Sequence, residues 1–308
     1  MAAALAATAQ QTSNQLFQEA LRLFSEDRPS AAEPLLRQAL QQRPRWFEAR
    51  FLLGAALVSL ARPVDAIPEL RLAHQLNPAN LDCAKLLAAQ YLSLDQPGPA
   101  LAILRPRLTS ALPAPDEELL LLGIEALHLR NSPGDAAEAL RLCTRGLVRY
   151  PRSAPMLTWR GYAQREQGAM TEAKASLEAA LKLEPNDASA LALLADVTRR
   201  QGYYAEALLL FNEVLRRLPI DIDAMIGKSR TLAAMGQSVE ALEALRSAVT
   251  AAPSIAALRL ELSQLCSKLD DRDCAAREAA EFKRLRQPGE TKATLPPGLR
   301  NIGPPPRN

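Results

Sequence analysis

Aromatic side chains are scarce in this chain of 308 residues: Phe, Tyr and Trp together make up 4% of it, and there are only two histidines. A large globular core needs bulky residues, yet the apolar fraction of 48% is carried mostly by Ala and Leu, the strongest apolar helix formers. That bias favours an all-helical chain assembled from many shallow helix-helix seams. His74 and His128 lie far apart in the sequence, and no HExxH, glycine-rich phosphate loop or GxSxG is present. The chain is therefore expected not to be an enzyme, with no catalytic residues, no cofactor and no metal. No apolar run approaches the roughly 18 residues that cross a bilayer, so no transmembrane segment is expected. A formal net charge of +3 is too small to predict a nucleic-acid or membrane surface. Arg dominates Lys, with few aromatics between the arginines for base stacking, which argues against nucleic acid as a partner.

Cysteine is also sparse. Cys83, Cys143, Cys266 and Cys274 form no CxxC and have no histidine at metal spacing. Cys266 and Cys274 flank one inter-helix turn. They stand close enough to bond if the protein is exported, but the sequence favours two small, buried, apolar thiols. Asp270, Asp271 and Asp273 in the same turn resemble a carboxylate cluster and are better read as helix caps. The first residues, MAAALAATAQQ, fit either a frayed alanine-rich leader or the remnant of a longer export signal, with Ala7-Thr8-Ala9 as its cleavage site. On the first reading the chain is cytoplasmic, on the second periplasmic or secreted.

What is present is a repeat. Alanines opening an EAL-like run fall at Ala32, Ala66, Ala100, Ala139, Ala173, Ala207, Ala241 and Ala275, separated by 34 residues except for one interval of 39. Prolines keep step at Pro44, Pro78, Pro113, Pro151, Pro185, Pro219, Pro253 and Pro288. Twelve residues before most of the alanines stands a small residue: Ala20, Gly54, Ala88, Gly161, Ala195, Ser229 or Ser263, with Gly123 in this role in the fourth repeat. Small residues let two antiparallel helices approach, and larger residues four and seven places on, such as Leu177 and Ala180, fill the seam. Gly168, Gly202 and Gly236 sit where a left-handed residue closes the first helix. Proline then ends the second.

The spacing predicts about eight antiparallel helix-turn-helix units, none of which buries its apolar faces alone. Met156 to Pro185 and Leu191 to Pro219 carry a Gly/Ala…Tyr…Ala…Phe/Leu…Ala…Pro grammar that closely resembles the tetratricopeptide repeat, and the likeness extends over about residues 13 to 288. The resemblance implies an all-α, right-handed α-solenoid that binds protein partners along a concave groove. Two of the family's groove chemistries are not expected here. The registers of the carboxylate clamp hold Phe17, Leu21, Leu52, Asp82 and Leu86, and those of the asparagine ladder hold no asparagine.

The long interval suggests the internal organisation. Pro106 falls inside a second helix, where it costs about 3 kcal/mol if the helix runs through, and Leu112-Pro113-Ala114-Pro115 follows. Pro34 and Pro68 are read as lying in or near the first turn of their helices, where they should be tolerated. A flexible joint near 105–116 would divide a leader (1–12), repeats one to three (13–115), repeats four to eight with a charged C-terminal cap (116–288) and a Pro-rich tail (289–308). A local irregularity absorbed by packing is the other reading.

Counted from the small-residue ruler, the first helices direct Phe17, Leu21, Phe51, Lys85, Leu120 and Ile124 into the groove at the N-terminal end, a mostly apolar stretch. Tyr162, Arg165, Arg199 and Arg230 do so at the C-terminal end, where Arg165 and Arg199 should stack and grip carboxylates. The expected function is a non-catalytic scaffold or adaptor holding a peptide or helical segment with apolar and acidic portions. Self-association is also open, because terminal faces need cover. The alternative is a structural subunit of a bacterial envelope or secretion assembly.

Overall fold

A computed structural model describes residues 12–110 and 115–286. The expected leader at residues 1–11, the segment Ala111 to Ala114 and the Pro-rich tail lie outside the described residues. Those described form sixteen helices and no strand: α1 (Ser13–Ser25), α2 (Pro29–Gln42), α3 (Phe47–Ser59), α4 (Pro63–Leu76), α5 (Leu81–Ser93), α6 (Pro97–Leu108), α7 (Glu117–Arg130), α8 (Asp135–Arg149), α9 (Ala154–Glu166), α10 (Met170–Leu183), α11 (Ala188–Arg200), α12 (Tyr204–Arg217), α13 (Ile222–Ala234), α14 (Ser238–Ala251), α15 (Ala256–Lys268) and α16 (Arg272–Arg286). Among the described residues no helix is long and apolar enough to cross a membrane.

The chain divides between Asp135 and Ala136 into two compact units. In unit 1, α1 packs on α2, α3 on α4 and α5 on α6, each second helix packs on the next first helix, and α7 closes against α6 and α5. In unit 2 the hairpins α9–α10, α11–α12, α13–α14 and α15–α16 stack in the same way. The segment 105–116 falls within unit 1, upstream of this division. There α6 runs through Pro106 to Leu108. The Arg107 guanidinium donates to the Pro78 carbonyl, and the Thr109 hydroxyl donates to the Arg105 carbonyl at 3.0 Å, so the end of α6 is tied down locally.

The repeat rulers become physical contacts. Ala32, Leu36 and Ala39 of α2, and Ala173, Leu177 and Ala180 of α10, are fully buried. A Cβ on Gly161 would stand 2.6 Å from Leu177 Cγ, so only a hydrogen fits there. At the same register Ser229 and Ser263 donate to the carbonyls of Ala241 (3.0 Å) and Ala275 (2.9 Å), joining two rulers twelve residues apart. Six first helices are capped by side chains from Thr12, Asn80, Asp116, Ser153, Asp187 and Asp221, each accepting from a first-turn amide that the helix leaves without a partner. Pro29, Pro63 and Pro97 open second helices, where a missing amide hydrogen costs nothing. Pro34 and Pro68 stand deeper than the sequence reading placed them: each is sixth in its helix, and the carbonyl four residues earlier loses its helical partner.

The left-handed turn position is filled differently along the chain. Gly168, Gly202 and Gly236 take it with φ of 80–87°, but Asp27, Ala61, Asp95 and Asp270 take it as well, with φ of 56–59°; the longer α7–α8 turn has two left-handed residues, Asn131 at the end of α7 and Gly134 before α8. For Ala61 this conformation is strained, because its Cβ crowds the backbone and no side-chain hydrogen bond compensates. One expectation is corrected outright. Cys266 and Cys274 do not remain separate thiols: they form a disulfide with Cα atoms 5.8 Å apart, because the tight turn brings the end of α15 beside the start of α16. Asp271 caps α16 through the Cys274 amide (3.0 Å), as the capping reading requires. Cys83 and Cys143 are buried free thiols, one in each unit. Burial pushes them up to about 11 and about 12 respectively.

Candidate binding surface

Each first helix packs one side into its hairpin and leaves another partly open. Counting from the first residue of the helix, that open side carries the positions four, eight and eleven residues on, except that Leu92 of α5, Thr158 of α9 and Ala192 of α11 are buried. In unit 1 these are Phe17, Leu21 and Phe24 of α1, then Phe51, Ala55 and Val58 of α3, with Lys85 and Ala89 on α5. Leu21 is 42% exposed, and Phe17, Phe24, Phe51 and Val58 pack by one edge on the unit 1 core. Two aromatics from the α2–α3 connection extend this surface. The Trp46 ring lies 4.7 Å from that of Phe17 with Arg43 over it at 4.2 Å, and Phe47 stacks on Phe51 at 5.9 Å. Sequence reasoning missed both, since a residue at the mouth of a helix has no periodicity to reveal which way it faces.

Leu120 and Ile124 do not belong to the surface. They are 2% and 0% exposed. The physical reason is a slip of one residue. Asp116 is the N-cap of α7, so Ile124 stands seven residues after the helix start, where Ala20, Gly54 and Gly161 stand in their own helices and face inward. Gly123 serves a different seam: a Cβ there would stand 2.5 Å from Leu108 of the preceding helix α6. The open positions of α7 are Leu121, Glu125 and His128, all of intermediate burial.

Lys85 is on the open side but is not a free cation. Its ammonium lies 2.8 Å from Glu118, 3.0 Å from Asp116 and 3.6 Å from Asp82. Burial opposes its charge, but the hydrogen bonds and charges of Glu118 and Asp116 outweigh that and hold it well above the ordinary lysine range.

In unit 2 the positions eight and eleven residues on are polar except for Ala233, whereas the position four residues on is Thr158, Ala192, Ile226 or Leu260. Arg165 crosses to the next first helix, reaching Asp196 at 3.3 Å while its other nitrogens bond Glu166, and it lies 4.8 Å over the Tyr162 ring. Asp196 also accepts from Arg199 at 2.7 Å and from Arg200 at 2.8 Å. Burial alone would raise the Asp196 carboxyl, but the Arg199 hydrogen bond and three arginine charges outweigh it and hold the group below its ordinary value. Arg230 clasps Glu261 through two nitrogens. Arg165 and Arg199 thus share a carboxylate and do not form an open cationic ladder. Lys85 with Asp116, Arg165 with Asp196 and Arg230 with Glu261 are each 31 residues apart, and in the last two this is one repeat forward and three positions back. Between α9, α11 and α13 lies an open cleft of about 270 Å³, lined by Tyr162, Arg165, Asp196, Arg200, Ile226 and Arg230, with Phe211 and Gly227 also contributing.

Two models of the tetratricopeptide repeat match, one over residues 17–80 and 171–221 and the other over 154–187. No curated protein matches the chain. Among solved structures it is similar to residues 41 to the end of MamA from Desulfovibrio magneticus RS-1, at 23% identity and a TM-score of 0.45, over 51% of this chain and 89% of that one. It is also similar to a tetratricopeptide repeat protein from Parabacteroides merdae, at 15% identity and a TM-score of 0.48, over 90% and 94% of the two chains. The matched segments fall on hairpins of both units, with the alanine, glycine and proline rulers in contact as the repeat requires, and the chain is a tetratricopeptide repeat protein.

Proposed function

We propose that this chain is a non-catalytic protein-interaction scaffold that holds a peptide or helical segment of a partner on its first-helix faces. The observation that carries the reading is the open side of unit 1. Phe17, Leu21, Phe24, Phe51 and Val58 follow one another at helical spacing on neighbouring helices whose other sides are already packed. A contiguous apolar surface of this kind marks an interaction site, and an amphipathic segment with anchors one helical turn apart is its natural complement. The polar side of unit 2 supplies hydrogen-bonding groups rather than bulk charge, since its arginines are already matched by acids.

Leu21→Asp tests this. The side chain is 42% exposed, so folding should change by no more than about 0.5 kcal/mol. The affinity for a partner first captured by the intact chain from its source cells, then measured by calorimetry, should fall at least about tenfold. Unchanged affinity would move the interface to the ends or the second-helix side, and the structural-subunit reading would lead.

A further inference from the structure

One second helix breaks the surface pattern of the others. Counted from the ruler alanine of each second helix, the positions two, six and ten residues on form one ridge along it. In α8 these are Arg141, Arg145 and Arg149, all exposed. No other second helix puts more than one arginine there: α2 has Pro34, Gln38 and Gln42, and α10 has Ala175, Ala179 and Leu183. In α12 and α16, which have one each, a glutamate stands on the same ridge, and Arg217 pairs with its Glu213 at 2.7 Å. The α8 ridge contains no acid that could do this. Arg141 makes no hydrogen bond or ion pair among the described residues, and Arg149 makes only a ring contact, 5.5 Å over Tyr150.

An apolar ridge runs beside the basic one. Leu140, Thr144 and Val148 are spaced in the same way, and Val148, at 84%, is the most exposed large apolar side chain among the described residues. The Thr144 hydroxyl donates to the Leu140 carbonyl at 2.8 Å, so its donor is satisfied within the helix and its methyl is left for the surface. All of these side chains except Arg149 line an open groove of about 580 Å³, together with Ala137 and Gln167, and no acid lines it. Gln167 donates to the Ala136 carbonyl at 3.3 Å, which ties the α9–α10 turn to the start of α8 and closes that end. From Ala137 to Arg149 the helix runs about 18 Å, the length of about three turns.

We propose that this face of α8 is a docking surface for an acidic amphipathic helix of a partner protein. Rows four residues apart have the same pitch on any helix. A partner with leucines and glutamates in such rows would set the leucines along Leu140 to Val148 and the carboxylates along the arginines. The arginine stems add apolar surface beside Val148. Charge argues for a partner rather than the chain's own ends. Gly289 to Asn308 holds one acid, Glu290, against Lys292, Arg300 and Arg307, and the first eleven residues hold none. An anionic bilayer would also meet the arginines, but the groove beside them favours a helix, and the test separates the two. The surface lies on a second helix, so it does not depend on the first-helix reading above.

The probe is a fluorescein-labelled peptide built from repeats of Glu-Leu-Glu-Ala and held helical by a hydrocarbon staple on its alanine face. It is titrated into the full chain and followed by anisotropy, beside the same peptide with Gln or with Lys in place of Glu. The Glu peptide should bind at least about tenfold more tightly than the Gln peptide, and added salt should erode the difference. The double variant Arg141→Glu, Arg149→Glu changes only exposed side chains; it should lose the Glu peptide and gain the Lys peptide. Val148→Asp should weaken the Gln peptide as well. Arg246→Glu, an exposed arginine of α14, and Leu21→Asp should leave Glu-peptide binding unchanged. Equal binding of Glu and Gln peptides, or no binding of the Glu peptide, would overturn the proposal. So would an equal loss in Arg246→Glu, which would reduce the effect to bulk charge, or a loss in Leu21→Asp, which would return the peptide to the first-helix face. Sedimentation with phosphatidylglycerol vesicles in the absence of peptide binding would assign the arginines to a membrane instead.

Discussion

The two units use the same hairpin and finish it in different materials. Unit 1 turns between its helices on Asp27, Ala61 and Asp95, and presents phenylalanines and leucine on the open side. Unit 2 turns mainly on glycine and presents arginines interlocked with carboxylates, and a disulfide closes its last hairpin. The repeat fixes which positions must be small or apolar for the seams, and those agree in both units. The positions the seams do not use are where the units diverge, and function has to be sought there.

The difference can be broken most forcefully at the seams. Phe211→Ala removes the largest fully buried side chain and should destabilise unit 2 by about 3–5 kcal/mol. Hydrogen exchange resolved by segment should show faster exchange in α11 to α14 with unit 1 unaffected; equal loosening of both units would show that they unfold as one.

Asp196→Ala comes next, at about 2–3 kcal/mol. That is below the cost of breaking a fully buried pair because Arg200 reaches water. The same carboxylate gives unit 2 an acid sensitivity. Its pKa is lower folded than the ordinary 3.8, so its contribution is complete above that value and is lost as pH falls through the lower, folded value. Acid titration followed by circular dichroism should lose this increment in the intact chain and not in Asp196→Ala.

Reduction of Cys266–Cys274 should cost unit 2 about 2–3 kcal/mol, as expected for a short closed loop, and unit 1 nothing. Thermal melting with and without a thiol reductant measures it. The smallest effect sharpens the comparison from the other side. Ala61→Gly relieves a left-handed alanine and should stabilise unit 1 by about 0.5–1 kcal/mol, whereas Gly202→Ala should destabilise unit 2 by about 1 kcal/mol. Chemical denaturation of both variants decides whether the turn position is worth the same in each unit.

Most of the fold was legible because three rulers of different chemistry kept one period, and each maps to a contact: alanine in the seam, a small residue opposite, proline at the exit. The candidate surface was legible where the period held and failed where it slipped. Gly123 looked like the ruler residue of its repeat, and it shifted the reading of α7 by one place, so Leu120 and Ile124 were assigned to a face they do not share. Asp116 held the signal that corrects it, since Asn80, Ser153, Asp187 and Asp221 cap other first helices in the same way. The pairing of Arg199 and Arg200 with Asp196 was readable from three- and four-residue spacing on one helix. The 31-residue diagonals were not, because they depend on the tilt between neighbouring hairpins, which no periodicity within a helix encodes. The disulfide was missed because proximity across a turn does not say whether two thiols oxidise.

The two unpaired cysteines offer something the ion pairs and turns do not. Cys83 and Cys143 are enclosed, one in each unit, and their raised pKa values keep them as unreactive thiols at neutral pH. Each can be alkylated only when its own surroundings open, so the protein carries two internal clocks distinguishable by the mass of the peptide they label. A single alkylation time course, read with and without a bound partner, would report which unit breathes first and which one the partner holds shut.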